Sequence, residues 1–356
     1  MIKKNFIMKK TVYILVYMFL LALLFVSLLL AVGFGSTKIP ITDVYGVIIY
    51  EMFGLGNAEI FSSGPVHDVV WLIRLPRLVL AIAVGMGLSV CGVVMQAVVR
   101  NPMADPYVLG ISSGASLGAT MAIMLGIGAV FGTKAVGVCA CIGAFGISVL
   151  VMIVASIGGR ASSMKLILAG MALSSLCSAF SSFIIYYAND KEGMISITYW
   201  LMGSLAGADW KMNTFILPFI ITIVLFFCTQ YRTLNMMLLG DEVAITLGIE
   251  LHYWRILYIL FSSAIIGFVV YASGMIGFVG LVIPHLMRMF FGTDHRRLIP
   301  VSALVGAIYL IWADVISRII INNTELPIGI MTSMIGAPCF IYLMVHKKYG
   351  FGGSGE

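Results

Sequence analysis

Side chains that could do chemistry are few in this sequence, and their spacing forms no known reactive pattern. The five histidines fall in loops and at the ends of apolar segments: His67, His252, His285, His295 and His346. The HExxH and GxxxxGK[ST] patterns of zinc hydrolases and phosphate-binding loops are missing. The sequence therefore predicts no catalytic residue, no metal site and no ATP site of its own.

The cysteines also lack the spacing of a metal site or of a disulfide framework. All six fall within apolar segments: Cys91, Cys139, Cys141, Cys177, Cys228 and Cys339. A buried free cysteine behaves as a small apolar side chain. We interpret them as packing residues.

One short polar segment, 239–249 (LGDEVAITLGI), stands between long apolar ones and predicts a capped helix. Asp241 is the expected N-cap, Glu242 places negative charge at the positive end of the helix dipole, and Gly248 is the expected C-terminal stop. Such a helix has fewer than two turns and is unstable without something to pack against. It is either an ordinary helix on the membrane surface or a docking element for a partner.

The elements around this segment are membrane spans. The chain of 356 residues is 61% hydrophobic and 10% charged, with a mean hydropathy of +1.08, so one soluble core could not bury its apolar surface. Apolar runs of about 17 to 25 residues recur, and unpaired backbone groups in lipid require them to be helices. We predict an all-α membrane protein with about ten spans: 12–32, 78–99, one beginning near 111, 134–157, 166–187, 212–229, 254–273, 275–290, 301–319 and 327–345. We also expect a short surface helix at 41–53, a non-crossing excursion at 188–211 and a cytoplasmic loop at 230–253.

The distribution of basic residues predicts that both termini are cytoplasmic. This topology places 14 of the 21 Lys and Arg residues inside, in agreement with the positive-inside rule. They are Lys3, Lys4, Lys9, Lys10, Arg100, Arg160, Lys165, Arg232, Arg255, Arg288, Arg296, Arg297, Lys347 and Lys348. Basic loops that meet anionic membrane lipid account for the net charge of +6 without any nucleic acid. Residues 1–346 then form one transmembrane domain, and the glycine-rich residues 347–356 form a flexible cytoplasmic tail.

Small residues in spans two and three are candidates either for lining a translocation path or for close helix packing. This group is Gly85, Gly92, Gln96, Gly114, Ser116 and Gly118. Between the two spans, Pro102 and Pro106 each follow an Asn or Asp, which predicts a turn and not a continuous helix.

Deep ionisable residues, which an ion-coupled transporter usually needs, are nearly lacking. Asp314 with Arg318 is the closest approach to an intramembrane pair, near the outer end of span nine. Without an ATP site, the energy for active transport would have to come from another protein, and the 230–253 loop is the natural contact point. A passive channel or facilitator and an ion-coupled transporter remain the alternatives.

Six segments together resemble the FecCD family, the permeases of ATP-binding cassette (ABC) importers for iron siderophores, haem and vitamin B12. They are RLPR at 74–77, MQAVVRNPMADPYVLGISSGASLGA at 95–119, GDEVAITLGI at 240–249, GFVGLVIPHLMR at 277–288, TDHR at 293–296 and ELPIGIMTSMIGAPCFIYL at 325–343. They follow the family order over nearly the whole chain. One small departure is Met103, where leucine is usual.

The resemblance implies a type II ABC importer permease fold of ten helices in the cytoplasmic (plasma) membrane. It also implies a second permease subunit, identical or a paralogue, two cytoplasmic ATPase subunits that hold ATP and Mg, and an external substrate-binding protein. It assigns ATPase coupling to the segment after span six, that is to Gly240, Asp241, Glu242, Ala244, Leu247 and Gly248.

Three arginines at two span ends are the candidates for docking the external protein: Arg74, Arg77 and Arg318. Arginine pairs bidentately with carboxylates, although a single arginine at a span end often only reaches for lipid phosphates. In the resembling family, arginines at these positions meet glutamates of the binding protein.

Overall fold

The computed structural model describes residues 10–346 apart from 36, 108, 158, 160, 322 and 323. Every regular element in this part is helical. The α-helices are α1 (Lys10–Gly33), α2 (Ile41–Phe53), α3 (Ala58–Phe61), α4 (Pro65–His67), α5 (Leu75–Val99), α6 (Ile111–Leu125), α7 (Ala135–Ser156), α8 (Ser163–Ala188), α9 (Lys191–Leu201), α10 (Trp210–Thr229), α11 (Tyr231–Leu239), α12 (Asp241–Thr246), α13 (Leu251–Ser273), α14 (Val279–Phe291), α15 (His295–Ile319) and α16 (Ile328–His346). A π-helix at Asp68–Arg74 joins α4 to α5, and a 3₁₀ segment at Ala129–Lys134 precedes α7.

The predicted number of spans is confirmed. Within the described residues, eight helical stretches are long and apolar enough to cross a membrane, and α6 and α14 are two shorter apolar helices. The predicted surface helix at 41–53 coincides with α2. The tail at 347–356 lies outside the described residues.

Helix α5 is the centre of the bundle, with α10, α13, α14 and α15 packed around it. Nearly all of its side chains are buried. A helix that is apolar on every side is expected at such a position, because no face of it has to meet a polar solvent. Helices α6, α7 and α8 pack against one another. Helix α13 contacts both α7 and α5 and so joins this group to the central helix.

The glycines of α5 and α6 lie where two backbones meet. A Cβ atom at Gly85 or Gly92 would overlap the carbonyl oxygens of Gly306 and Gly280 respectively. Likewise, a Cβ at Gly118 would overlap the carbonyl oxygen of Cys139. The absence of side chains therefore sets the separation between α5 and its neighbours α14 and α15, and between α6 and α7.

Replacing Gly92 by Ala should destabilise the bundle by about 1 to 3 kcal/mol, because the added methyl group can only be accommodated by moving a backbone. The measurement is the thermal transition of the purified protein in detergent. Gly146→Ala in α7 is the matched control, since a Cβ there meets no atom within 4 Å and Ala favours the helix. Equal transition temperatures for the two variants would contradict close packing at Gly92.

The predicted turn between spans two and three is present. The Asn101 side chain accepts a hydrogen bond from the amide of Met103 (2.9 Å), and the Asp105 carboxylate accepts one from the amide of Tyr107 (2.8 Å). These bonds satisfy backbone donors that the prolines leave outside a helix. Burial raises the pKa of Asp105 to about 6, and the Tyr107 hydrogen bond acts in the opposite direction.

The predicted start of span eight at residue 275 is wrong, because α14 begins only at Val279. Residues 274–278 are irregular, with φ of +64° at Gly274 and +67° at Phe278. The turn that follows α9 packs on this segment, and Ser204 of that turn donates its amide to the carbonyl of Ser273 (2.7 Å). Hydropathy cannot separate such buried irregular backbone from helix, since both are apolar.

Candidate functional site

The coupling candidates form a short helix behind a sharp turn. Helix α10 is followed almost directly by α11, which the sequence did not predict, and Gly240 then redirects the chain into α12. Gly240 has φ of +100°, and the guanidinium of Arg100 lies 3.0 Å from the place of a Cβ there. Both the backbone conformation and the space favour glycine at this turn.

The prediction of Asp241 as the N-cap is wrong. Gly240 occupies the cap position and no side chain caps the helix, because the turn places Asp241 one residue inside α12. From there the Asp241 carboxylate accepts a hydrogen bond from Arg255 of α13 (2.7 Å). Glu242 lies in the first turn as expected.

Arg255 connects α12 to a second element. Its guanidinium is almost completely buried, and it also donates to the carbonyl of Ala161 (3.0 Å), two residues before α8. A small cavity of about 80 Å³ lies beside this contact, bordered by Asp241, Glu250 and Arg255. Because the charge of Arg255 is buried, its ion pair with Asp241 is costly to break.

The outer face of α12 is apolar and exposed. Ala244 is fully buried against the bundle, whereas Val243, Ile245 and Leu247 are 43, 53 and 58% exposed. The helix ends in a Schellman motif: Ile249 donates to the carbonyl of Ala244, and Gly248 has φ of +80°. Gly248 is therefore the C-terminal stop that the sequence predicts. Exposed apolar side chains on a short anchored helix are typical of an interaction surface.

The three docking candidates do not form an exposed cluster. Arg74, Arg77 and Arg318 are only 3 to 4% exposed, so their assignment to docking of the external protein stays a prediction. Arg74 donates to the backbone carbonyl of Val32 in the last turn of α1 (2.9 Å) and to that of Thr37 after the helix.

Arg77 and Arg318 converge on one buried carboxylate. Arg77 donates to Asp314 (2.7 Å) and to Glu325 (2.6 Å), and Arg318 lies 3.1 Å from the other oxygen of Asp314. The predicted pair of Asp314 and Arg318 is thus confirmed and extended to a network of four charges. Glu325 is its accessible member, with a side chain 42% exposed.

Apart from Ser116, the path candidates lie in the interior. Gly114 packs against the backbone of Gly143, and Ser116 is partly exposed on α6. The Gln96 side chain is fully buried, and neither its oxygen nor its nitrogen has a hydrogen-bond partner among the described residues. A buried amide without a partner is unusual and costly.

A family model described as the FecCD transport family matches residues 23–346 of the chain. The chain belongs to this family. It is a multi-pass membrane permease of the ABC importer type.

Relatives of this FecCD permease cover most of its length. It is 39% identical over 328 residues to YvrB of Bacillus subtilis (strain 168), an uncharacterised ABC transporter permease protein, covering 91% of this chain and 92% of YvrB. It is 41% identical over 276 residues to BtuC of Salmonella paratyphi A, a vitamin B12 import system permease protein, covering 78% and 83% of the two chains. A solved structure described as an ABC transporter of metal-chelate type, in an inward-facing conformation, superposes with a TM-score of 0.79 at 31% identity and covers 93% of this chain and 99% of its own.

The structure of the FecCD permease adds residues that sequence reasoning missed. From the sequence, Arg255 is predicted only to lie on the cytoplasmic side, and Glu325 stands out only as part of a family motif. Helix α8 also has exposed Ser175, Ser178 and Ser182 on one face. The spacing of these serines by three and four residues is a helical-face signal that the sequence offered.

Proposed function

We propose that this chain is the translocation subunit of an ABC importer that carries a metal chelate or corrinoid inward, with energy from a separate ATPase subunit. The observation that carries the proposal is α12, a short helix with an exposed apolar face, anchored by the buried Arg255. ATP and Mg bind to the ATPase, and this chain performs no covalent chemistry.

The path for the cargo lies between two permease subunits, of which the second is identical or a paralogue. The serine face of α8 supports this arrangement, because exposed hydroxyl groups at mid-helix are poorly suited to contact lipid chains. The face is mixed, since Leu168, Met171 and Tyr186 are also exposed on it, and we propose that it lines the path.

Arg255 provides the physical connection between energy input and path. Closure of the ATPase subunits displaces α12, and the bonds from Arg255 to Asp241 and to the carbonyl of Ala161 pass that displacement to the beginning of α8. Alternation of α8 between two positions then opens the path to one side at a time. An external binding protein delivers the cargo.

The cargo class is inferred from relatives and stays coarse. BtuC is described as a permease for vitamin B12, and the structural relative as a transporter of metal-chelate type. Iron siderophores, haem and corrinoids are all bulky chelates of this kind. Titration of the cognate binding protein with each of them identifies the cargo.

Reconstitution into liposomes tests the proposal. The permease with its ATPase and binding protein should take up the bound chelate only when ATP is present on the ATPase side. Uptake by the permease alone down a gradient would support a passive facilitator, and uptake driven by an ion gradient without ATP would support an ion-coupled transporter.

We propose that the protein lies in the plasma membrane with both termini cytoplasmic, residues 1–346 forming one domain and 347–356 a tail. Asp241 and Lys347 then lie inside, whereas Asp68 and Lys191 lie outside. Single cysteines at these positions, on a background without native cysteines, report their side through a membrane-impermeant thiol reagent. Labelling of position 241 from outside would contradict this topology.

The external binding protein docks at the surface above Arg77, and Glu325 competes with its carboxylates for the same guanidinium. Glu325→Gln should therefore accelerate capture of the binding protein by a factor of about 2 to 5 at low ionic strength, and salt should reduce the gain. Stopped-flow kinetics measure the rate at which the binding protein associates with the permease.

The control for this measurement is Glu192→Gln, since Glu192 lies in the first turn of α9 and outside the arginine network. Capture that is unchanged or slower in Glu325→Gln, while Glu192→Gln resembles the unmodified protein, would argue against docking at this network.

A further inference from the structure

Three helix ends enclose an apolar cleft on one side of the bundle. Helices α7 and α10 begin near it, and α13 ends near it, so the three ends lie at one membrane boundary. The cleft has a volume of about 570 Å³, within the range of small-molecule sites. Its walls include the apolar residues Val138, Ile142, Phe215, Ile216 and Phe268.

Two lysines stand at the rim of the cleft. Lys134 directly precedes α7, and Lys211 lies in the first turn of α10; both are exposed and both border the cleft. Among the described residues neither forms an ion pair. A solitary lysine at a span end commonly reaches toward the membrane surface. Two unpaired lysines from different helices at one cleft need a further explanation.

A polar pocket adjoins the cleft on the same side. Its volume is about 280 Å³, and it shares Lys134, Met212 and Tyr271 with the cleft. Its polar lining includes Thr133, Ser204 and Asp209. The Asp209 carboxylate accepts a hydrogen bond from the amide of Met212 and caps α10. With two lysines and this one carboxylate, the combined lining keeps a positive charge.

We propose that this bipartite site binds one membrane phospholipid with an anionic head group. The polar pocket and the two lysines hold the phosphate and head group, and the apolar cleft holds acyl chains. The orientation of the site fits that of a lipid in a bilayer, because the charged part of the site lies at the helix ends and the apolar part lies along the helices. A docked protein helix would not require charge at one end of an otherwise apolar surface.

The bound lipid has a structural consequence for α10. Helix α13 packs on both α7 and α10, and the lipid fills the space between the outer parts of α7 and α10. Because α10 leads through Gln230 into α11, the lipid steadies the helix that carries the cytoplasmic segment. This inference stands on the cleft alone and does not depend on the cargo or on the ATPase.

Native mass spectrometry of the full chain purified in detergent tests the site. Phosphatidylglycerol and phosphatidylcholine with identical acyl chains are titrated in parallel. Each lysine near the surface contributes about fivefold to binding of an anionic lipid, so we expect a preference for phosphatidylglycerol of about thirtyfold. The double variant Lys134→Ala/Lys211→Ala should lose most of that preference.

Lys191→Ala is the matched control, because Lys191 lies at the start of α9 and lines neither the cleft nor the pocket. It should keep the full preference. A second variant, Ile142→Trp, narrows the apolar cleft and should weaken the binding of both lipids without changing their ratio.

Equal retention of the two lipids by the unmodified protein would overturn the proposal, as would loss of all lipid in mild detergent. A preference that persists in the double variant would also overturn it, because the charge would then come from elsewhere. The measurement on the unmodified protein decides the matter even if a variant folds poorly.

Discussion

Asp314→Asn should destabilise the bundle by about 3 to 5 kcal/mol, the cost of leaving buried charges without their partner. Arg77 and Arg318 both depend on this carboxylate, which is itself fully buried. With Asn, the carboxylate left to the two guanidinium groups within the described part of the chain is the partly exposed Glu325. We expect a lower yield in the membrane and a lower thermal transition in detergent.

Glu325→Gln is the comparison variant, since it removes a charge from the same network at its exposed edge. Its effect on stability should be much smaller, because water reaches that carboxylate. A further variant, Asp314→Asn with Arg318→Met, removes one charge of each sign and should recover part of the loss. If Asp314→Asn were as stable as Glu325→Gln, Asp314 would not be the centre of the network.

Asp241→Lys should abolish most ATP-driven uptake, by at least about tenfold, while the permease still reaches the membrane. The change replaces the partner of the buried Arg255 by a like charge, which costs several kcal/mol at close range, so α12 can no longer hold its position. Uptake and substrate-stimulated ATP hydrolysis are measured together in proteoliposomes.

Asp43→Lys provides the matched control, because Asp43 lies in the first turn of α2, another short helix, and pairs with no arginine in the described structure. The charge-exchanged variant Asp241→Lys/Arg255→Glu should restore part of the activity. Stimulated hydrolysis that stays at its normal level in Asp241→Lys would mean that α12 is not the point of energy input.

Periodic features of the sequence predicted most of the fold. Ten spans and the surface helix α2 follow from the length and spacing of apolar runs, and the turn at 101–107 follows from Asn101, Pro102, Asp105 and Pro106. The irregular start of span eight and helix α11 did not follow, because their structure depends on neighbouring backbone and not on local composition.

In the candidate site, too, contacts between residues close in sequence were predictable and contacts between distant residues were not. Gly248 as a helix stop and the pair of Asp314 with Arg318 were predictable because the residues are close in sequence. Arg77 with Asp314 joins residues 237 positions apart, and Arg255 with Asp241 joins two helices whose orientation no local pattern encodes. The pairing of Asp241 with Arg255 could therefore not be predicted, although the helix that contains Asp241 could.

The distance along the chain between Arg77 and Asp314 also has a consequence for biosynthesis. At about 5 to 20 residues per second, the ribosome needs roughly 12 to 47 seconds to make the 237 residues that separate them. During that time Arg77 has neither Asp314 nor Glu325 to neutralise it. We therefore expect the guanidinium of Arg77, which lies at a span end, to be solvated by water or lipid phosphate until span nine has been made.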